Sequence, residues 1–215
     1  MPRTACLLTA AAAFAIVAAA PARAACDDAD LQAEKHTEER VRTAILCVVN
    51  EERAVAGRQP LAGSIHLDRS AGAHSGDMVR HGYLAHEAGG RPSLAGRVRL
   101  AGYFDGAATA LFSENIGVAP IGGATARLLV DAWMLSPDHR ANVLHPMFRD
   151  LGIGTAFAAP DPAFYPDHSS LVVTTDFGQR LMARAGAMRC RGRRARARRG
   201  AATTRGRFCA RRRRA

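Results

Sequence analysis

The stretch Leu151-Gly152-Ile153-Gly154-Thr155-Ala156-Phe157 limits the fold more than any other in this chain. Large residues alternate with glycine and alanine, so the period of two reads as a strand. One face of that strand has almost no side chain. Such a face lets a helix or another backbone approach closely. Leu171 to Phe177 is a second β-rich run, expected to pair antiparallel with the first across a proline-containing loop, 158–169.

Upstream, the apolar spacing is helical. Val41, Ala44, Ile45, Val48 and Val49 form an amphipathic stripe that Thr37 opens and Gly57 ends. Asn50 and Arg53 follow on that helix, either as solvated surface or as ligands of neighbouring backbone. A second helix is expected from about Ile65 to His81, stopped by Gly82. In it His74 shares the apolar face with Leu67, Ala71 and Met78 and reads as a satisfied, half-buried histidine. A third helix starts at Ser93 and a strand covers Phe112 to Val118. A fourth helix opens at Gly122-Gly123 with Ala124, Leu128, Ala132 and Leu135 on one side. Ser136-Pro137-Asp138 then reads as a fresh helix start: a cap-forming residue, proline at the first helical position, and an acid at the positive end of the dipole. His139 falls in that first turn. Helices followed by strands imply an α+β layered domain, helices packed on a small antiparallel sheet.

The ends differ from the middle. Residues 1–25 carry Arg3, an apolar run from Ala5 to Ala20 and the small-residue pattern Ala22-Arg23-Ala24, which together read as a signal peptide. A retained anchor and a lipoprotein site at Cys26 are the alternatives. The net charge is +11, but residues 189–215 hold thirteen arginines and no acid. Less those thirteen, the remainder is −2, so the basicity belongs to an Arg-rich tail, 180–215, expected to be disordered. Such a tail suits an anionic envelope surface, bound through counterion release. With Phe208 as its one aromatic, it offers no platform for specific nucleic-acid reading. Secretion to the extracellular space would leave Cys26, Cys47, Cys190 and Cys209 in an oxidising compartment. Three pairings exist; Cys26–Cys47 and Cys190–Cys209 are favoured by proximity in sequence. The domain plan is a strap over 26–39, a domain over 40–179, and the tail. A monomer is expected.

Taken in order, Asn50-Glu51-Glu52-Arg53, Gly82-Tyr83-Leu84-Ala85-His86, Glu114-Asn115-Ile116, the run from Trp133 to Leu144, Leu151-Gly152-Ile153-Gly154 and Asp176-Phe177-Gly178 resemble the CAP superfamily. This superfamily takes in cysteine-rich secretory proteins, antigen 5 and pathogenesis-related proteins, and the likeness is greatest to its bacterial SCP-like branch. The resemblance implies an α-β-α sandwich with a cleft lined by His86, Glu114 and His139, with Asn115 beside them. Eukaryotic members carry a further glutamate where this chain has Ser136, so the tetrad is at most a triad here. Two imidazoles, His86 and His139, with one carboxylate could hold zinc in an open site, or Glu114 could act as a general base. No G-x-S-x-G or HExxH motif supplies a nucleophile or a metalloprotease signature. Asn115 and Asn142 read as fasteners. The expected function is an extracellular binding module for a lipid, wall polymer or protein; the alternative is a weak, zinc-dependent hydrolase.

Overall fold

The computed structural model describes residues 26–182. The signal-like segment, the tail beyond Met182 and the Cys190–Cys209 pair lie outside the described residues. In chain order the elements are α1 (Glu38–Val55), β1 (Ala62–Gly63), α2 (Ile65–His81), α3 (Leu94–Leu100), β2 (Ala107–Pro120), α4 (Ala126–Leu135), α5 (Pro137–Val143), β3 (Asp150–Ala158) and β4 (Ser170–Met182). The sheet order is β1-β3-β4-β2. β3 and β2 both pair antiparallel with β4, and the two-residue β1 adds a parallel edge on β3. Among the described residues no helix is long and apolar enough to cross a membrane.

The bare face of β3 does what its sequence implies. A Cβ on Gly152 would stand 2.3 Å from the Cβ of Leu67, and one on Gly154 would stand 2.1 Å from the backbone of Ala71. The backbone of α2 therefore lies directly on β3. Ser75 fixes the seat: its hydroxyl donates to the Gly154 carbonyl (3.1 Å) and accepts from the Thr174 hydroxyl (2.8 Å). Asp68 accepts from the Ile153 amide at 2.8 Å. Ser64 caps α2, and Gly82 closes it at φ 64°, a left-handed position that suits glycine.

The opposite face of the sheet carries the main core. Leu151, Ile153, Leu171, Val173 and Phe177 pack there with the α1 stripe, and with Leu129, Val130 and Trp133 of α4. The sheet thus lies between α2 and α3 on one side and α1, α4 and α5 on the other, an α-β-α sandwich. The face expected for α4 is wrong. Leu128 and Leu135 are exposed, while Ala126, Leu129, Val130 and Trp133 are buried. The helix begins after its cap at Thr125 rather than at the glycines, and Arg127 and Asp131, one turn apart, mark the side on which Leu128 and Leu135 lie.

Two devices hold the α1 side together. Cys26 and Cys47 form a disulfide, Cα–Cα 5.7 Å, that ties the strap to α1; closing a loop of this size contributes about 3 kcal/mol in the chain-entropy description. Thr37 stands at the N-cap of α1 but its hydroxyl turns back to the Gln32 and Glu34 carbonyls, so it organises the strap instead of capping the helix. Asn50 exchanges both its amide bonds with the Leu61 backbone (3.0 and 2.7 Å). Arg53 is fully buried. Its guanidinium donates to the carbonyls of Gln59, Val143, His145 and Phe148 at 2.7–3.3 Å. Both residues are ligands of neighbouring backbone, which joins α1 to the end of α5.

Candidate functional site

β2 is a sheet edge, and side chains from both layers meet around it. Glu114 points to the α2 side. Its register partner across the ladder is Asp176. Its Oε1 accepts from His86 Nδ1 at 2.8 Å and its Oε2 from Arg97 Nη2 at 2.5 Å. His74 Nε2 lies 3.7 Å from the same Oε1 and bonds the Ala85 carbonyl at 3.1 Å. Arg97 also donates to the His86 and Pro92 carbonyls. The loop carrying His86 is therefore pinned by α2 through His74 and by α3 through Arg97. Side-chain exposure is 1% for Glu114 and 51% for His86. The carboxylate is a buried anchor, and the imidazole it aims is open to solvent.

Asn115 points to the other layer. Its amide donates to the His139 carbonyl (3.1 Å), and Asn142 donates to Asn115 Oδ1 (2.8 Å) and to the Glu114 carbonyl (3.2 Å). Trp133 Nε1 bonds the Ile116 carbonyl at 3.0 Å. Three successive β2 residues thereby fix α4 and α5, and with them His139. Both asparagines are fasteners. His139 is half-buried, and near enough to His86 for that ring's charge to be felt.

The titratable groups divide by environment. The hydrogen bond from His86 to Glu114 raises the His86 pKa against the effect of burial. Burial lowers that of His74, and burial followed by the charge of His86 lowers that of His139. For Glu114, burial opposes ionisation, but His86 and Arg97 outweigh it and hold the carboxyl below its usual range. Asp176 goes the other way. It is fully buried, and burial, with Glu114's charge beside it, pushes its pKa well up. Neither Asp176 oxygen, nor the Ser70 hydroxyl beside it, completes a hydrogen bond of normal geometry among the described residues.

An NMR pH titration should find His86 with a midpoint above the ordinary 6.5 and His139 below it. Glu114→Gln should move the His86 midpoint down. Because the folded value for His86 is raised, its contact adds stability that is complete below the ordinary value and is lost as pH rises through the folded one. His74 and His139 contribute in the opposite sense, present above their ordinary value and lost as pH falls through the folded ones. Identical midpoints for His86 and His139 would contradict the arrangement.

The sequence located His86, Glu114, Asn115 and His139, and the structure gathers them at one edge. It did not locate Arg97, His74 or Asp176 as members of the same network. Arg97 sits 17 residues before Glu114 on a short helix and looks like solvated surface there. Asp176 belonged to a noticed motif, yet only its register opposite Glu114 shows what it neighbours. For zinc, the fit is partial. Among the described residues, the only three His, Cys, Asp or Glu ligand atoms all within 4.8 Å of one another come from Cys26, Cys47 and Glu51, and the two sulfurs are already joined.

A three-layer sandwich whose edge strand holds His86 on a buried glutamate and His139 through the next asparagine is the arrangement of a CAP-type domain. The sequence model of CAP, the cysteine-rich secretory protein family, matches residues 46–173, and the chain belongs to that family. It is 34% identical over 107 residues to uncharacterized protein YkwD of Bacillus subtilis strain 168, covering 50% of this chain and 39% of that protein. Among solved structures, an extracellular protein containing an SCP domain from Bacillus anthracis strain Ames superposes with TM-score 0.52 at 23% identity, over 66% of this chain and 41% of that one. An outer surface protein of Borrelia burgdorferi gives TM-score 0.51 at 18% identity, over 70% of this chain and all of that one. The chain spans about two fifths of the length of the two Bacillus proteins.

Proposed function

We propose that the chain is a secreted, extracellular binding module that presents His86 and His139 to a lipid, wall-polymer or protein ligand. The state of Glu114 carries this reading. Both its oxygens are committed, to His86 and Arg97, and its proton affinity is lowered. A carboxylate so occupied is a poor general base, since an efficient one has a pKa near the working pH and reach to the proton it takes. It is well suited to aim an imidazole. The split pKa directions then give the cleft one imidazole that protonates more readily than an ordinary histidine and one that protonates less readily. The leader-like segment 1–25, the Cys26–Cys47 bridge and the printed descriptions of the Bacillus anthracis and Borrelia proteins support an extracellular setting. The arginine-rich tail would add a salt-sensitive tether to an anionic envelope surface.

A second reading, a zinc-assisted hydrolase, has one observation in its favour. Glu114 on His86 Nδ1 leaves Nε2 outward, the carboxylate–histidine pairing that orients metal-bound imidazoles. Zinc sites use three or four protein donors. His86 and His139 supply two, and Ser136 stands where the resemblance places a further acid, so the donor set falls short of a resident zinc site.

The test is a titration of the full chain with wall-polymer fragments and, separately, phospholipid vesicles, followed by imidazole NMR and by assay of released products with and without added Zn²⁺. Saturable shifts of the His86 and His139 signals without product release are expected. Product release abolished in Glu114→Gln would replace binding with hydrolysis, and unmoved histidine signals with both probes would remove the cleft as the binding surface.

A further inference from the structure

A cavity of about 460 Å³ opens between α2 and α3; His74 lines it, and neither His86 nor His139 does. Its walls carry four guanidinium groups, Arg69 and Arg80 from α2, Arg91 from the loop, and Arg97 from α3. Tyr83, Pro92, Leu100 and Ala101 supply the apolar part. Its volume lies in the range of small-molecule sites.

The acids on hand do not use up these donors. Asp77 is the one carboxylate on the wall. It accepts from the Tyr83 hydroxyl at 2.7 Å and lies 3.6 Å from both Arg80 and Arg91. The Tyr83 hydroxyl, half-buried and bonded to Asp77, is pushed up to about 12, so it stays neutral. Arg69 has no ion pair among the described residues. Arg97 is only 7% exposed, and its Nε–H is buried without an acceptor among the described residues. Its two other nitrogens are occupied by Glu114 and by backbone carbonyls. At the rim, Leu100 is 79% exposed, an apolar side chain with nothing over it. Surplus guanidinium and an uncovered leucine share one cavity. Planar guanidinium forks match the oxygens of carboxylate and phosphate.

We propose that this cavity binds a single-chain amphiphile ending in an oxyanion. The carboxylate or phosphate would sit on the arginines, and the apolar body along Tyr83, Pro92 and Leu100. Cations are disfavoured by the excess positive charge. A bare inorganic ion leaves the apolar wall uncovered, and a neutral alcohol leaves the guanidinium donors unmatched. Arg97 and His74 join its inner wall to the Glu114 network, but His86 and His139 do not line it, and the proposal does not depend on what the histidine cleft binds.

The experiment is calorimetry on the full chain with four probes: octanoate, octyl phosphate, octanol and inorganic phosphate. The tail arginines are common to every protein compared, so differences between variants report the cavity. One-site binding is expected for octanoate or octyl phosphate, and the better of the two names the head group. Octanol and inorganic phosphate should bind at least about tenfold more weakly, as loss of a charge-assisted contact or of apolar cover implies. Arg69→Gln with Arg91→Gln, both exposed positions, should lower affinity by roughly tenfold or more with the melting temperature unchanged. Ala73→Trp, on the cavity wall, should abolish binding. Octanol binding as tightly as both anions, or wild-type affinity in the double-arginine variant, would overturn the proposal; so would failure of both anions to bind.

Discussion

Gly154→Ala will cost this domain more than about 4 kcal/mol, in the range reserved for severe core defects, although it adds a single methyl group. The methyl would lie 2.1 Å from the carbonyl carbon of Ala71 and 2.1 Å from the Gly72 amide nitrogen. Those atoms are helix backbone, so no rotamer change relieves the overlap. α2 must lift off β3, and the Ser75 bonds to Gly154 and Thr174 break with it. Overpacking of ordinary side-chain cores costs about 1–3 kcal/mol because side chains can shift; here they cannot. Since whole domains are stable by only about 5–15 kcal/mol, poor soluble yield is the expected phenotype. Gly89→Ala is the control, at a position with nothing within 4 Å of the added atom. Urea denaturation of both variants decides the matter, and a loss below about 1 kcal/mol for Gly154→Ala, the size of an average point substitution, would show that α2 is not seated as described.

Arg53→Met should be the next most damaging change, on the order of 3–5 kcal/mol, the usual loss when a buried charged network is broken. Methionine keeps much of the volume but supplies no donor. The carbonyls of Gln59, Val143, His145 and Phe148 would then lose the donor they share, and unsatisfied buried acceptors cost about 1–3 kcal/mol each where they cannot relax. Lysine would not rescue the defect, because a single ammonium cannot reproduce a planar fork that reaches separate backbone segments. Hydrogen exchange should locate the damage in residues 143–148. That segment follows α5, so His139 should lose its fixed position as well. Protection there equal to wild type would contradict the role assigned to Arg53.

How far the sequence leads depends on whether a signal is local. The end of α2 was readable because a left-handed glycine closes it. The glycine face of β3 was readable because its meaning, close approach, does not depend on the partner's identity. Arg97 was not readable, since its meaning is Glu114 on another element. The face of α4 was legible in part: Arg127 and Asp131, one turn apart, mark its polar side, on which Leu128 and Leu135 fall, while Leu129 and Trp133 lie opposite and are buried. β2 runs from Ala107, well before the β-rich residues begin, because its ladder with β4 extends to Met182 and carries low-propensity alanines with it.

The helices at the front of this domain are held by a strand near its end. Arg42 of α1 donates to the Ile153 carbonyl across 111 residues, Glu38 accepts from Thr155 across 117, and Asp68 of α2 accepts from Ile153 across 85. A growing chain therefore exposes the apolar stripes of α1 and α2 long before β3 exists to receive them. Folding cannot proceed by adding finished pieces; it waits for the last third of the domain. Contacts so distant in sequence place the domain among slower folders, in the millisecond-to-second range typical of non-local topologies. They also make the partly synthesised chain its most aggregation-prone form.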